Sequence, residues 1–169
     1  MRAPVTAQIA YVRDTGERPR YYANAHEKDT IVVDLRPMEI VDLRGQETSL
    51  DVEGCVLVEH RSQVPDFTNP EVVGALHGAE IERLLREVTG CDAVVVVPRA
   101  ILRYSEKSGK TGSSDNSHPA RFAHVDVSAE TGAGMRAQAA PSGRAIARSA
   151  QYNVWRAISG APQDVPLAL

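Results

Sequence analysis

From about Pro70 to Thr89, hydrophobic and polar positions follow the period of an α-helix, and this pattern predicts a helix. Asn69 is a good N-cap, and Pro70 suits the first helical position, where no backbone N–H is needed. Gly90 can adopt the left-handed conformation that ends a helix. The apolar side chains of this segment fall mostly on one helical face: Val72, Val73, Leu76, Ile81, Leu84, Leu85 and Val88.

Shorter apolar runs predict strands. The run "DAVVVVP" predicts a strand buried on both faces, because four consecutive valines leave no polar face. Pro37 separates two short β-rich runs within residues 30–44. The other predicted strands are residues 5–12, 56–59, 121–128 and 152–155, and the start of a strand after "SGAPQD" near the end of the chain.

Two polar or small-residue segments interrupt these elements. Residues 105–119, "SEKSGKTGSSDNSHP", predict a mobile loop, and residues 129–143, "AETGAGMRAQAAPSG", are predicted to be small and flexible. Residues 1–169 are long enough for a single domain with a core. Because the strands outnumber the one clear helix, we predict a mainly β domain with a flanking helix, of the α+β class.

The composition excludes several classes of function. Hydrophobic residues make up 43% of the chain and charged residues 24%, with a net charge of -3. No basic patch favours nucleic acid, no signal peptide begins the chain and no apolar run has membrane-spanning length. Cys55 and Cys91 lie in apolar surroundings and are read as small buried residues rather than a disulfide. A cytoplasmic location is expected.

The stretch "RFAHVDVS" holds the clearest candidate for chemistry. On a strand, Phe122, His124 and Asp126 point to one face, while Ala123, Val125 and Val127 point to the core. An imidazole and a carboxylate on one face can hold a divalent metal, as in the facial triad of non-haem iron oxygenases. The alternative is a buried histidine beside an exposed aspartate.

The other histidines offer weaker candidates. His26 and His60 are interpreted as surface groups, His77 as a polar position of the helix, and His118 as a solvated loop residue. The glycines of "TGAGM" do not form a dinucleotide-binding fingerprint. The sequence shows no Ser/His/Asp signature, no Cys/His signature and no P-loop.

Four segments in fixed order resemble the AsaB-like hydroxylase/desaturase family, which includes the fungal gibberellin-desaturase type and the bacterial CmcJ type. They are "VDLRGQETSLDVEGCVLVEHRSQVPDF", "TGCDAVVVV", "HPARFAHVDVS" and "YNVWRAISGAPQDVPLAL". The resemblance covers about residues 30–169 and leaves residues 1–29 as an N-terminal extension. It implies an Fe(II)/2-oxoglutarate-dependent oxygenase with a double-stranded β-helix, a jelly-roll-like core. Such an enzyme hydroxylates or desaturates a small, secondary-metabolite-like molecule.

The resemblance also implies roles for individual residues. His124 and Asp126 would be the first two iron ligands. Asn153 and Trp155, from the segment N-V-W-R, would lie near 2-oxoglutarate or substrate, although Trp155 can equally be a core anchor. Arg103, Arg121 and Arg156 would contact an acidic substrate or co-substrate, and no catalytic residue is implied beyond the metal ligands.

The chain departs from the family pattern at its end. The distal histidine ligand and the arginine that grips 2-oxoglutarate would follow "PLAL", and no histidine follows His124. We therefore expect the N-terminal part of a longer oxygenase-like fold, a shortened gene product or a degenerate homologue. Three functions stay open: an oxygenase, a non-catalytic binding protein without the third ligand, and, least favoured, a methyltransferase. We expect the partner to be a small molecule, and neither nucleic acid nor a membrane. The sequence leaves open whether the chain forms a homo-oligomer.

Overall fold

A computed structural model describes residues 3–97, 100–113, 117–140, 145–161 and 163. The chain divides into two compact units. The described residues of the first unit fall within Met1–Arg61 and Leu102–His124, and those of the second within Ser62–Ile101 and Val125–Gln163.

The first unit contains an antiparallel pair of strands, β1 (Val5–Val12) and β2 (Val33–Ile40). The strand predicted over residues 5–12 is therefore confirmed. In place of two short runs separated by Pro37, β2 continues through this proline, which lies opposite Gln8. Proline lacks an N–H, but a strand with one open edge tolerates it. Short 3-10 helices at His26–Lys28 and Glu106–Ser108 lie in the connecting segments.

One backbone hydrogen bond ties the segment around His124 to this sheet. The N–H of Ala123 donates to the carbonyl oxygen of Ala10 over 2.8 Å. Ala10 lies on β1, so the segment before His124 runs beside that strand. No strand is assigned over residues 121–128, however, and the prediction of a regular strand there is wrong.

The second unit contains the predicted helix, α1 (Pro70–Thr89). The side chain of Asn69 accepts hydrogen bonds from the N–H groups of Glu71 and Val72, and Gly90 has φ +66°. Both caps follow the prediction. The Asn69 side chain accepts from N–H groups that the helix itself leaves without partners, and Gly90 adopts the left-handed conformation that ends a helix. The buried apolar core of this unit is small among the described residues: Val64, Val73, Ile81 and Leu84.

A second helix, α2 (Ala129–Ala139), occupies most of the segment predicted to be flexible. The hydroxyl of Ser128 caps it by accepting a hydrogen bond from the N–H of Thr131. The prediction of a flexible segment was wrong for residues 129–139, because a good cap and several alanines favour a helix despite two glycines. None of the described residues of α2 is buried.

Three further predicted strands are not formed: residues 56–59, 92–97 and 152–155 have no strand assignment. Val95 and Val97 are 73% and 74% exposed, so the prediction of a strand buried on both faces is wrong. Valines on a strand stay buried on both faces only where other elements pack against each face of the sheet. Pro98 and the strand start predicted within residues 165–169 lie outside the described residues.

The described residues therefore form a mixed α+β structure, with one two-stranded sheet and two α-helices. The α+β class is confirmed. A jelly-roll core is not seen in residues 3–97, 100–113, 117–140, 145–161 and 163, and the two helices contain more residues than the two strands. Within those same residues, no helix has the length and apolar character needed to cross a membrane.

Candidate functional site

Asp126 and Asn153, two of the predicted site residues, are in direct contact in the second unit. The side-chain nitrogen of Asn153 lies 2.5 Å from the Oδ2 atom of Asp126, across 27 positions of the chain. An ionised carboxylate can only accept, so the amide NH₂ is the donor. The contact fixes one carboxylate oxygen of Asp126 and thereby orients the second.

The imidazole of His124 contacts the backbone two residues before it, in the first unit. Its Nδ1 lies 2.9 Å from the carbonyl oxygen of Phe122, and the two rings lie 5.4 Å apart. A carbonyl oxygen only accepts, so Nδ1 carries the proton and the lone pair of the neutral ring is on Nε2. Histidines that bind a metal through Nε2 are commonly oriented by such a bond on Nδ1.

The packing around these two residues differs from the predicted strand. Both side chains belong to exposed residues. Val125, which was predicted to point into the core, is 86% exposed, so that prediction is wrong. The reason is that no neighbouring sheet of the described residues covers this segment. His124 ends a range of the first unit and Asp126 lies in the second, so a shared metal remains a prediction.

Arg156 lies over an aromatic ring in the second unit. Its guanidinium carbon is 5.6 Å from the centroid of the Phe67 ring. Phe67 in turn meets His77 of α1 edge to face, at 5.4 Å between centroids. A cation at this distance from a ring face is attracted by the quadrupole of the ring. The contact places the Arg156 guanidinium beside Phe67 in the second unit.

The other two arginines of the prediction lie in the first unit. Arg121 forms an ion pair with Glu106, and both side chains are more than half exposed. An exposed pair of this kind contributes little to stability, about 0–1 kcal/mol. Arg103 is exposed. Their predicted contact with an acidic substrate stays a prediction.

Trp155 is 50% exposed, so the alternative reading as a core anchor is wrong. Asn153 and Trp155 are not part of an assigned strand, although residues 152–155 were predicted to form one. The predicted placement of Trp155 near 2-oxoglutarate stays a prediction.

The comparison with protein families decides the family. The model described as "Oxidoreductase/YMDC permease-like domain" matches residues 9–169, nearly the whole chain. The chain belongs to this family. The oxidoreductase/YMDC permease-like domain thus includes residues 9–12 of β1, all of β2, both α-helices and every residue predicted for the site.

One curated relative of this oxidoreductase/YMDC permease-like domain is a fungal enzyme. The chain is 26% identical over 98 residues to "Alpha-ketoglutarate-dependent dioxygenase phiK" of Fungal sp. (strain ATCC 74256). The match covers 56% of this chain and 35% of that protein, so the chain spans about a third of the length of the curated relative. No solved structure matches the chain.

The fit of the predicted iron site can be tested on its donors. His124 and Asp126 are the residue types that non-haem iron requires, and each is oriented by a hydrogen bond. A facial triad needs a third donor. Among residues 3–97, 100–113, 117–140, 145–161 and 163, no group of three or more His, Cys, Asp or Glu side chains is arranged to hold a metal ion. These residues do not complete the site alone.

Two groups of polar residues were not identified as candidates from the sequence. Glu80 is only 4% exposed and accepts hydrogen bonds from the Ser62 hydroxyl and the Gln63 N–H, each over 2.5 Å. In the first unit, His26 and His118 lie beside one another although 92 positions separate them in the sequence. Neither contact corresponds to a short sequence motif, because the contacting partners lie far apart along the chain.

Proposed function

We propose that this chain contributes iron- and 2-oxoglutarate-binding residues to an oxidoreductase, an AsaB-like hydroxylase or desaturase. The substrate would be a small, secondary-metabolite-like molecule. The contact between Asn153 and Asp126 carries the proposal, because the resemblance assigns both residues to one site and their side chains are joined by a hydrogen bond. The oxidoreductase family and the partial similarity to an alpha-ketoglutarate-dependent dioxygenase give further support.

The two proposed ligands have separate roles. His124 would bind Fe(II) through Nε2, since Nδ1–H donates to the Phe122 carbonyl. Asp126 would bind through its carboxylate while Asn153 holds Oδ2 in place. When bound, iron and 2-oxoglutarate would activate O₂, which supplies the oxidising power for attack on a C–H bond. The described residues offer two of the three protein ligands expected for the iron.

Arg156 is proposed to bind an acidic group of the substrate or co-substrate. Its guanidinium can donate two parallel hydrogen bonds to a carboxylate, and it lies 5.6 Å from the centroid of the Phe67 ring. The exposed indole of Trp155 is proposed to contact the same small molecule.

A non-catalytic binding protein is the second candidate function. It is favoured by the incomplete donor set among the described residues. Such a protein would hold a small acidic ligand through Arg156 without binding iron. The methyltransferase alternative gains no support from the family or from the fungal relative.

An anaerobic titration distinguishes the two candidates. Fe(II) and 2-oxoglutarate are added to the purified chain, and the visible charge-transfer band of the chelated complex is recorded. We expect the band in the wild-type chain and its loss in His124→Ala and in Asp126→Ala. His60→Ala, which removes a histidine elsewhere in the first unit, is the matched control and should retain it. A folded chain without the band would reject iron binding and support the second candidate.

A further inference from the structure

We propose a second metal-binding site in the first unit, formed by His26 and His118 and oriented by Asp29. The site takes a borderline divalent ion of the Zn(II) class. It does not involve His124, Asp126 or 2-oxoglutarate, and it is therefore independent of the function proposed above.

The two imidazole rings have the separation that a shared ion requires. Their centroids are 4.9 Å apart and their planes are inclined by 87°. With metal–nitrogen bonds of about 2.0–2.1 Å, an imidazole centroid lies about 3.2 Å from the ion, and two imidazoles at 90–110° then have centroids about 4.5–5.2 Å apart. The observed separation falls within this interval.

Asp29 prepares His26 for coordination. Its Oδ2 lies 3.1 Å from His26 Nδ1, and its Oδ1 accepts the N–H of Tyr22 over 2.6 Å. The ionised carboxylate can only accept, so Nδ1 carries the ring proton and the lone pair of neutral His26 is on Nε2. A carboxylate, a histidine and a metal in this order form a common arrangement that fixes the ring and increases its basicity.

The position of His118 is set by the loop that precedes it. Ser117 is completely buried, and its hydroxyl accepts a hydrogen bond from the N–H of Gly112 over 2.8 Å. Its carbonyl oxygen accepts the N–H of Tyr104 over 3.2 Å. A Cβ atom at Gly112 would lie 3.1 Å from His118 Nε2, and Gly112 has φ +82°. Glycine at this position leaves room for the imidazole.

The donor chemistry indicates the class of ion. Neutral imidazoles suit Zn(II), Cu(II) and Ni(II) better than Mg(II) or Ca(II), which prefer oxygen. Two protein nitrogens leave the remaining positions to water, so we expect exchangeable binding rather than a closed structural site. The nearby negative charge of Asp29 favours a cation.

The test is a titration of the untagged chain with Co(II) alone, followed by displacement with Zn(II). It is carried out in a Cys55→Ser/Cys91→Ser/His124→Ala background, because both cysteines are free and a thiolate would also bind these ions, and because His124 is a proposed ligand of the separate iron site. We expect visible Co(II) absorption that saturates at one ion per chain and is removed by one equivalent of Zn(II). His118→Phe keeps a ring for the edge-to-face contact but removes the ligand, and it should lower the affinity at least tenfold.

Two further variants complete the test. Asp29→Asn keeps the oxygen that accepts from Tyr22 but removes the charged partner of His26, and we expect an affinity about 10–100-fold lower. Restoring His124 in this background should leave the Co(II) affinity of this site unchanged, so this site can fail while the iron site stands, and the reverse. Wild-type affinity in a folded His118→Phe chain, or no Co(II) binding by the folded parent, would mean ring packing alone and overturn the proposal.

Discussion

Asn153 donates its amide N–H to Asp126 over 2.5 Å and so connects two segments that lie 27 residues apart. One of these segments precedes α2 and the other follows it. The contact therefore spans the whole of α2 and brings together two of the residues assigned to a common site by the sequence. A neutral donor beside the carboxylate leaves the negative charge of Asp126 intact, as a metal ligand requires.

Adding a negative charge at this contact should destabilise the second unit in a pH-dependent way. In Asn153→Asp two carboxylates face each other, and at neutral pH we expect a loss of up to about 1 kcal/mol in the free energy of unfolding. On acidification the two carboxylates can share one proton, so the loss in unfolding free energy relative to wild type should become smaller. Denaturant unfolding at several pH values measures it. Gln151→Asp, an exposed position two residues away, is the control and should show no such recovery.

Two glycine substitutions in or beside α1 should have opposite effects on stability. Gly90 has φ +66°, so Gly90→Ala places a Cβ in the left-handed region and should cost about 1–2 kcal/mol. Gly74 lies inside the helix, and a Cβ there would meet nothing within 4 Å. Gly74→Ala should therefore stabilise the helix by about 0.5–1 kcal/mol. Thermal unfolding of both variants gives the signs, and equal signs would contradict the assigned end of α1.

Loss of the Glu80 carboxylate should destabilise the second unit strongly. Glu80 accepts from the Ser62 hydroxyl and from the Gln63 N–H, and it is buried. Glu80→Ala removes both acceptors at once, and we expect a loss of about 1–3 kcal/mol for each donor left unsatisfied. Glu87→Ala changes an exposed glutamate of the same helix and should stay within about 0.5 kcal/mol of wild type in chemical denaturation. Similar losses in both variants would argue against the buried contacts.

The pKa of Asp66 should depend on its neighbour Thr68. The hydroxyl and then the N–H of Thr68 donate to Asp66 and lower the pKa of its carboxyl below the ordinary value. A lowered carboxyl pKa stabilises the fold above the pKa of the unfolded chain, and this contribution is lost as the pH falls through the folded pKa. Thr68→Val should raise the pKa of Asp66 toward its ordinary value in an NMR titration, while Thr68→Ser should retain the lowered pKa.

Local features of the sequence were sufficient to predict some elements. The bounds of α1 follow from Asn69, Pro70 and Gly90, whose effects act within one helical turn. The strand over residues 5–12 was also predicted correctly, from weak alternation. The helix α2 was not predicted, because the glycines of "TGAGM" favour a flexible segment whereas the cap at Ser128 favours a helix.

The remaining strands failed for a different reason. Val95, Val97 and Val125 were assigned to buried positions because valine favours strands and cores. They are among the most exposed large hydrophobic residues described. A strand exists only where a partner backbone accepts its hydrogen bonds, and the presence of that partner is not encoded within the run itself.

The sequence by itself determined the helix α1 and its caps and the residue types available for chemistry, because these depend on neighbours a few positions away. Weak alternation in residues 5–12 indicated β1, but the strand pairs with β2, which lies further along the chain. Only the tertiary structure decided which of those residues meet. It brought Asn153 to Asp126, His26 to His118 and Glu80 to Ser62. Such contacts depend on how distant segments pack, and neither propensity nor spacing carries that information.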